Sequence, residues 1–377
     1  MEAKKRPFWL QSLLDNWVYL AIVAFLVVFP HVVGWLTDSS PFGVPRGSRV
    51  IMRGESAFWQ AVFIEIFALS ILVMSYNLMF GFTGVISFGH ALFFGVGGFT
   101  IGMLWEYTEI NGNAAFILGI VITLGLTSVI GFLIGLVSLR LRGVYYAIFT
   151  LAVAEMAFIF IGRWPVTNGE DGFTISRLPA WIDPSQSRLN VYYFGLALFV
   201  LAFLVIRRLV KSPTGTVFQA IRENEERAQA IGYNTLRYKL LSITAASMMA
   251  GLAGFLHAIL NKKLGPEMFA VSFTVDSLLM TIIGGVGTFV GPVVGATSLH
   301  LADTVFRDAV VTIGGQQIDI GDSWLLILGL IFIVVVMIFP QGIVGTWLRF
   351  RLWFSRTYLQ RNKSGGRLKQ AAEPGMD

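Results

Sequence analysis

The chain has 377 residues, of which 55% are hydrophobic and only 13% charged, with a mean hydropathy of +0.71. A soluble chain carries about a quarter charged residues, so the composition excludes a soluble globular protein and points to an all-α polytopic membrane protein; the apolar runs are continuous rather than alternating, which excludes a β-barrel. The absence of cysteine excludes disulfides, iron–sulfur clusters and thiolate metal sites, four scattered histidines argue against a metal centre, and the net charge of +6 is read as membrane topology rather than as nucleic-acid binding.

Residues 1–16 form a basic cytoplasmic N-terminal segment with Lys4, Lys5 and Arg6. No small-residue cleavage pattern follows the first apolar run, so 17–36 is read as a retained span and not as a signal peptide. Further runs near the ~20 residues that cross a bilayer lie at 58–80, 83–105, 114–138, 143–162, 191–206, 240–260, 273–300 and 324–340. Trp17, Trp35, Trp59, Trp105, Trp164, Trp324 and Trp347 stand at their ends, where an aromatic belt is expected. With the N-terminus in the cytoplasm, Arg140, Arg142 and the segment 207–239 fall inside. The acidic turn "EYTEINGN" and the loops 37–57 and 163–190 fall outside.

A single crossing at 273–300 would send the basic tail 349–377 outside. A hairpin of two short helices returns it to the cytoplasm and places most of the 28 Lys and Arg inside. The middle of that stretch, "GGVGTFVGPVVG", has the glycine and proline content of a turn at membrane depth, which is tolerated where protein or a water-filled cavity surrounds it. The chain therefore reads as one transmembrane domain over 17–348. It has about nine to ten transmembrane segments, including a broken or re-entrant helical hairpin, and both termini cytoplasmic.

A second glycine-rich interruption, "GFTGVISFGHALFFGVGGF", covers 81–99. Two such breaks in a transporter point to the substrate route, although small residues also serve plain helix packing. The candidate pathway or gate residues are Ser87, Gly89 and His90 in one break and Gly285 and Gly287 in the other. Ionisable residues within spans are Glu65, Glu155, Asp276 and His257. Glu155, in "AIFTLAVAEMAFIFIG", lies deepest; it could pair with a cation, bind a substrate ammonium or be protonated. No phosphate-binding loop, H-E-x-x-H motif or G-x-S-x-G elbow occurs. If the chain moves solute against a gradient, an ion or a partner must therefore drive it.

The charged stretch 212–239 interrupts this apolar sequence. Ser212 and Pro213 read as N-cap and first helical residue, Phe218, Ile221, Ala228 and Ile231 as an apolar stripe, Glu223 and Arg227 as an i,i+4 pair, and Gly232 as the stop. A helix lying on lipid headgroups favours lysine and arginine. The mixed charge of "RENEER" with a narrow apolar stripe suits docking into a groove on another protein instead.

"AIRENEERAQAIGYNTLRYKLLSITAASMMAGLAGFLHA" resembles the cytoplasmic segment and following helix of LivM-type permeases, subunits of ABC importers for branched-chain amino acids and related solutes. "NLMFGFTGVISFGHALFFGVGGFT", "LRGVYYAIFTLAVAEM", "TNGEDGF", "DSLLMTIIGGVGTFVGPVVGA" and "FPQGIVGT" resemble further landmarks of that family in family order, over roughly 60–346. The resemblance implies a LivH-type permease partner, two ABC ATPase subunits of the LivG and LivF type, an extracytoplasmic substrate-binding protein, and residence in the cytoplasmic (inner) membrane of a bacterium or archaeon. It implies a transport subunit and not an enzyme, with no cofactor in this chain, ATP and Mg bound by the partner ATPases, and no nucleic acid. By the same match Ala220, Arg222, Glu223, Asn224, Glu225 and Gly232 would contact an ATPase groove. The family also handles urea and short amides, which stands as an alternative substrate class. An ion-coupled secondary transporter acting alone, with Glu155 as its ion site, is the alternative of another class. The loop 37–58 and the insert 311–323 look longer than a minimal member needs.

Overall fold

A computed structural model describes residues 17–350, apart from 47, 48, 142, 308, 309, 314, 315, 320–323 and 348. The expectations for residues 1–16, for Arg142, for part of the 311–323 insert and for the tail beyond 350 lie outside these residues.

An apolar segment in a bilayer must satisfy every backbone polar group internally, and the helix does this within one segment. The apolar runs accordingly fold as α1 (Trp17–Leu36), α2 (Glu55–Asn77), α3 (His90–Tyr107), α4 (Gly112–Ser138), α5 (Val144–Gly162) and α6 (Arg188–Val210). The short α7 (Pro213–Glu223) and α8 (Glu225–Ala230) follow, then α9 (Thr235–Asn261), α10 (Val271–Gly284), α11 (Gly291–Phe306) and α12 (Trp324–Ile338). Among the described residues, 7 helices are long and apolar enough to cross a membrane: α1, α2 with its extension to Phe82, α4, α5, α6, α9 and the stretch Leu326–Trp347. The chain is a polytopic membrane protein by this measure.

The third span departs from the expected 83–105. α2 runs on into a π-helical turn at Leu78–Phe82, residues 83–89 are not helical, and α3 begins only at His90. Gly84 takes φ +77°, a left-handed conformation that ends the helix and reverses the chain. The predicted break at 273–300 is a hairpin of two helices. Gly284 packs on the backbone of Gly291, and Gly295 on that of Met280, so α10 and α11 run antiparallel at a separation only small residues permit.

α9 is the centre of the bundle and packs against α2, α3 and α4. Phe67, Phe94, Trp105, Phe255 and Leu256 fill the space between them. Burial separates inner from outer helices: 72% of the apolar window of α2 is buried, but only 6% of that of Leu326–Trp347. At one end of the bundle, β1 (Val44–Arg46) pairs with β2 (Arg49–Ile51). At that end also, β3 (Phe173–Thr174) pairs with β4 (Lys263–Leu264), in register Phe173↔Leu264, and an ion pair of 3.0 Å joins Lys262 to Asp183. The insert after α11 contains the pair β5 (Val310–Ile313) and β6 (Gln316–Asp319). At the opposite end lie α7, α8, the 83–84 turn and the 285–290 tip of the hairpin.

Candidate functional site

α7 starts at Pro213, whose missing N–H costs nothing in the first turn. Ser212 has the extended backbone of a cap, φ −80° and ψ 166°, but its hydroxyl donates back to the Leu209 carbonyl at 2.6 Å and caps nothing. Phe218 is fully buried against Leu78 and Phe82, and Val217, Ile221 and Ala228 cluster beside Tyr238. This hydrophobic seat fixes α7 against the foot of α2 and the start of α9. Ile231 does not join the stripe: it is 66% exposed. The chain turns away there, with Gly232 at φ +95° and Tyr233 N–H donating to the Ala228 carbonyl at 3.1 Å.

Of the one or two short helices that the sequence allows here, the structure has two. Asn224 is extended (φ −161°, ψ 103°), and its side chain accepts from Arg227 N–H at 2.8 Å, capping α8. The break puts Glu223 and Arg227 on different helices, and the expected pair between them does not form. Glu225 pairs instead with Lys239 of α9 at 2.6 Å. Glu223, Asn224, Glu226 and Arg227 are exposed at the free edge, while Ala220 is half-buried.

Arg222 is exposed like its neighbours, but the end of its side chain reaches back to the bundle. Its guanidinium donates to the Gly81 carbonyl, and its stem lies where a Cβ on Gly84 would come within 3.2 Å of it. The same guanidinium abuts Gly287. Asn77, at the foot of α2, grips the hairpin tip twice: Oδ1 accepts from Gly287 N–H at 2.9 Å and Nδ2 donates to the Thr288 carbonyl at 2.9 Å. Gly285 sits beside the Gln341 carbonyl at 3.1 Å from its would-be Cβ. Thus Arg222, Gly285 and Gly287, read from separate parts of the sequence, meet at one junction. Asn77 was missed; a lone amide just before the Gly81–Gly84 break was the available signal.

Ser87, Gly89 and His90 gather one step further into the bundle. Ser87 Oγ accepts from Gly89 N–H at 3.2 Å, Phe88 N–H donates to Thr150 Oγ1 at 3.1 Å, and Ala91 N–H donates to Thr274 Oγ1 at 2.8 Å. His90 is fully buried with Nε2 at 2.7 Å from Ser75 Oγ. Ser75 gives its own hydrogen to the Leu72 carbonyl, so His90 is the donor in that contact. A small pocket lined by Met79, Ser87, Gly89, Tyr146 and Thr150 opens at this point. Within two residues of α2, Ser75 therefore holds one break and Asn77 the other.

The sequence profile of a family described as "Branched-chain amino acid transport system / permease component" matches residues 60–339. The chain belongs to this permease family. It is 28% identical over 353 residues to the high-affinity branched-chain amino acid transport system permease protein LivM of Salmonella typhimurium, covering 86% of this chain and 74% of that one. It is 27% identical to LivM of Escherichia coli over the same length and shares. It is 24% identical over 308 residues to a probable LivM of Methanocaldococcus jannaschii, covering 73% of this chain and 89% of that one. No solved structure matches the chain significantly.

In this permease Glu155 stands apart from both breaks. It is half-buried in α5 and has no hydrogen-bond or ion-pair partner among the described residues. Its helical neighbours Ile148, Met156 and Ile159 are exposed. Glu65 and His257, flagged separately in the sequence, form a pair: Oε1 lies 2.7 Å from Nδ1 with both side chains largely buried, and Asn261 Nδ2 stands 3.2 Å from the ring nitrogens. Asp276 is exposed. Among the described residues no group of His, Asp and Glu could hold a metal ion.

Proposed function

We propose that this chain is the membrane-spanning permease subunit of an ATP-driven ABC importer that translocates branched-chain or other hydrophobic amino acids delivered by an extracytoplasmic binding protein. The observation that carries the reading is the α7–α8 segment: an apolar face seated on the bundle through Phe218 and Ile221, and a free edge of exposed Glu223, Asn224, Glu226 and Arg227. Mixed charge at a rigid, well-anchored helix end suits a groove on a soluble partner. That partner is an ABC ATPase, which holds ATP and Mg; a second, LivH-type permease subunit completes the membrane part. The helices α1 to α6, α9 and α12 cross the inner membrane in alternation, and α10 and α11 enter and leave it as a hairpin of two short arms, which makes about nine to ten membrane segments with both termini in the cytoplasm. ATP-driven closure of the ATPases moves α7, and the breaks carrying Ser87, Gly89, His90, Gly285 and Gly287 act as the gate.

The test is co-purification with the proteins encoded beside it, followed by ATP-dependent uptake in proteoliposomes. ATPase subunits should accompany the wild type, and Glu223→Lys should keep the complex but lose most transport per ATP hydrolysed. A lone chain that transports without ATP would overturn the reading. Glu155 is assigned to the seam with the second permease subunit, since a carboxylate facing lipid at the bilayer centre costs ~2.5–3.5 kcal/mol. Met156→Cys, one residue on, should then cross-link to that subunit in the assembled complex; reaction with lipid-soluble reagents alone would refute the assignment.

A further inference from the structure

The last turn of α7, the foot of α2 and the tip of the α10–α11 hairpin meet at Arg222. We propose that Arg222 is the strut that carries a displacement of α7 to the hairpin tip, acting with Asn77 as a positioning pair rather than as a contact to the ATPase. This inference rests on the importer reading above and gives the route inside the chain.

Arg222 follows the anchored residues Phe218 and Ile221 and is itself exposed, as Glu223 is, yet its guanidinium reaches back onto the Gly81 carbonyl. A hydrogen bond from a charged donor is about twice as strong as a neutral one. The planar guanidinium can donate to Gly81 and still lie against Gly287; the ammonium of a lysine has no such flat fork. Gly84 and Gly287 take φ +77° and +74°, and a side chain at either would meet Arg222. Backbone from two breaks thus closes directly on one arginine. Asn77 completes the ring by gripping Gly287 N–H and the Thr288 carbonyl, each at 2.9 Å. The hairpin arms have 14 and 16 residues, which at 1.5 Å per residue leaves both shorter than a ~30 Å hydrocarbon layer. Held at its tip by one strut and one clamp, the hairpin moves when α7 moves. Gly285, against Gln341 and Gly345, passes the shift to the end of the last span.

The chain has no cysteine, so a single introduced thiol reports its own position. Val286→Cys reads the tip and Ala230→Cys reads the exposed end of α8, both in the complex purified with its ATPase subunits. The reaction rate with a water-soluble thiol reagent is compared without nucleotide and with ATP trapped by vanadate. The rate at 286 should change at least about fivefold on trapping. With Arg222→Gln or Arg222→Lys that change should vanish, while the ATPases still co-purify and still shield Ala230→Cys. A full response at 286 in Arg222→Gln would overturn the strut, with the importer reading intact. Loss of the ATPases from Arg222→Gln would overturn it too, by making the arginine a partner contact. Failure of any ATPase to accompany the wild type would sink the importer reading and the strut with it. Should Arg222→Gln not reach the membrane, Asn77→Asp decides: it keeps the acceptor for Gly287 and removes the donor to Thr288. The response at 286 should fall in an assembled complex, and an undiminished response would overturn the proposal.

Discussion

The Glu65–His257 pair shows what a buried polar contact does at the scale of single residues. The two side chains lie on α2 and α9 and meet at 2.7 Å, with the ring also packed 5.1 Å from Phe94. Removing one partner strands the other in a largely apolar place, at a cost of about 3–5 kcal/mol, whereas replacing both by apolar residues is often neutral or stabilising. His257→Leu should therefore lower the thermal unfolding midpoint of the purified chain clearly, and Glu65→Leu/His257→Leu should recover most of the loss. If the double variant melts no higher than His257→Leu, the pair is not the source of the effect. Each residue was visible in the sequence as an ionisable group inside a span. Their pairing was not, because 192 positions separate them and only the packing of α9 on α2 brings them together.

At the scale of the element, the charged segment 212–239 was legible in its start at Pro213, its buried Phe218, Ile221 and Ala228, and its stop at Gly232. The kink was not. Glu, Arg and Gln are all good helix formers, so "RENEERAQA" scans as one helix. The competing preference belongs to Asn224, a strong N-cap residue, and in the structure it wins: the chain extends for one residue and α8 begins anew. The kink also dissolves the Glu223–Arg227 pair by placing the two residues on different helices, which periodicity alone could not foresee. Asn224→Ala removes the cap and should cost about 1 kcal/mol, while Asn224→Asp should cost little. Amide hydrogen exchange reads this locally. Residues 225–231 should exchange several times faster in Asn224→Ala, with the spans unchanged; equal exchange in wild type and variant would mean that contacts with α9, not the cap, hold α8.

Across the whole molecule, the long apolar helices follow from hydropathy because a bilayer leaves an uninterrupted apolar run few alternatives. The breaks are where local sequence and tertiary structure share control. At 83–89 the glycines marked the place, but the length of the non-helical stretch depends on Thr150 of α5 and Ser75 of α2, which no local pattern reports. At 285–290 the basic tail forced a hairpin on charge grounds, and the antiparallel contacts Gly284–Gly291 and Gly295–Met280 give it geometry. That geometry has a consequence for sidedness. If α10 and α11 fold back on each other, the end of α11 returns to the side from which α10 started. Val305, 56% exposed near that end, must then share a side with Glu109 in the turn before α4, and Arg237 at the start of α9 must lie on the other. In sealed, oriented membranes an impermeant thiol reagent should reach Val305→Cys and Glu109→Cys from one face and Arg237→Cys only from the opposite face. Reaction of Val305→Cys from the Arg237 face would mean that the two helices pass through as one span. The tip at Gly287 could not then stay beside Asn77, and the junction that links α7 to the breaks would not exist in the membrane.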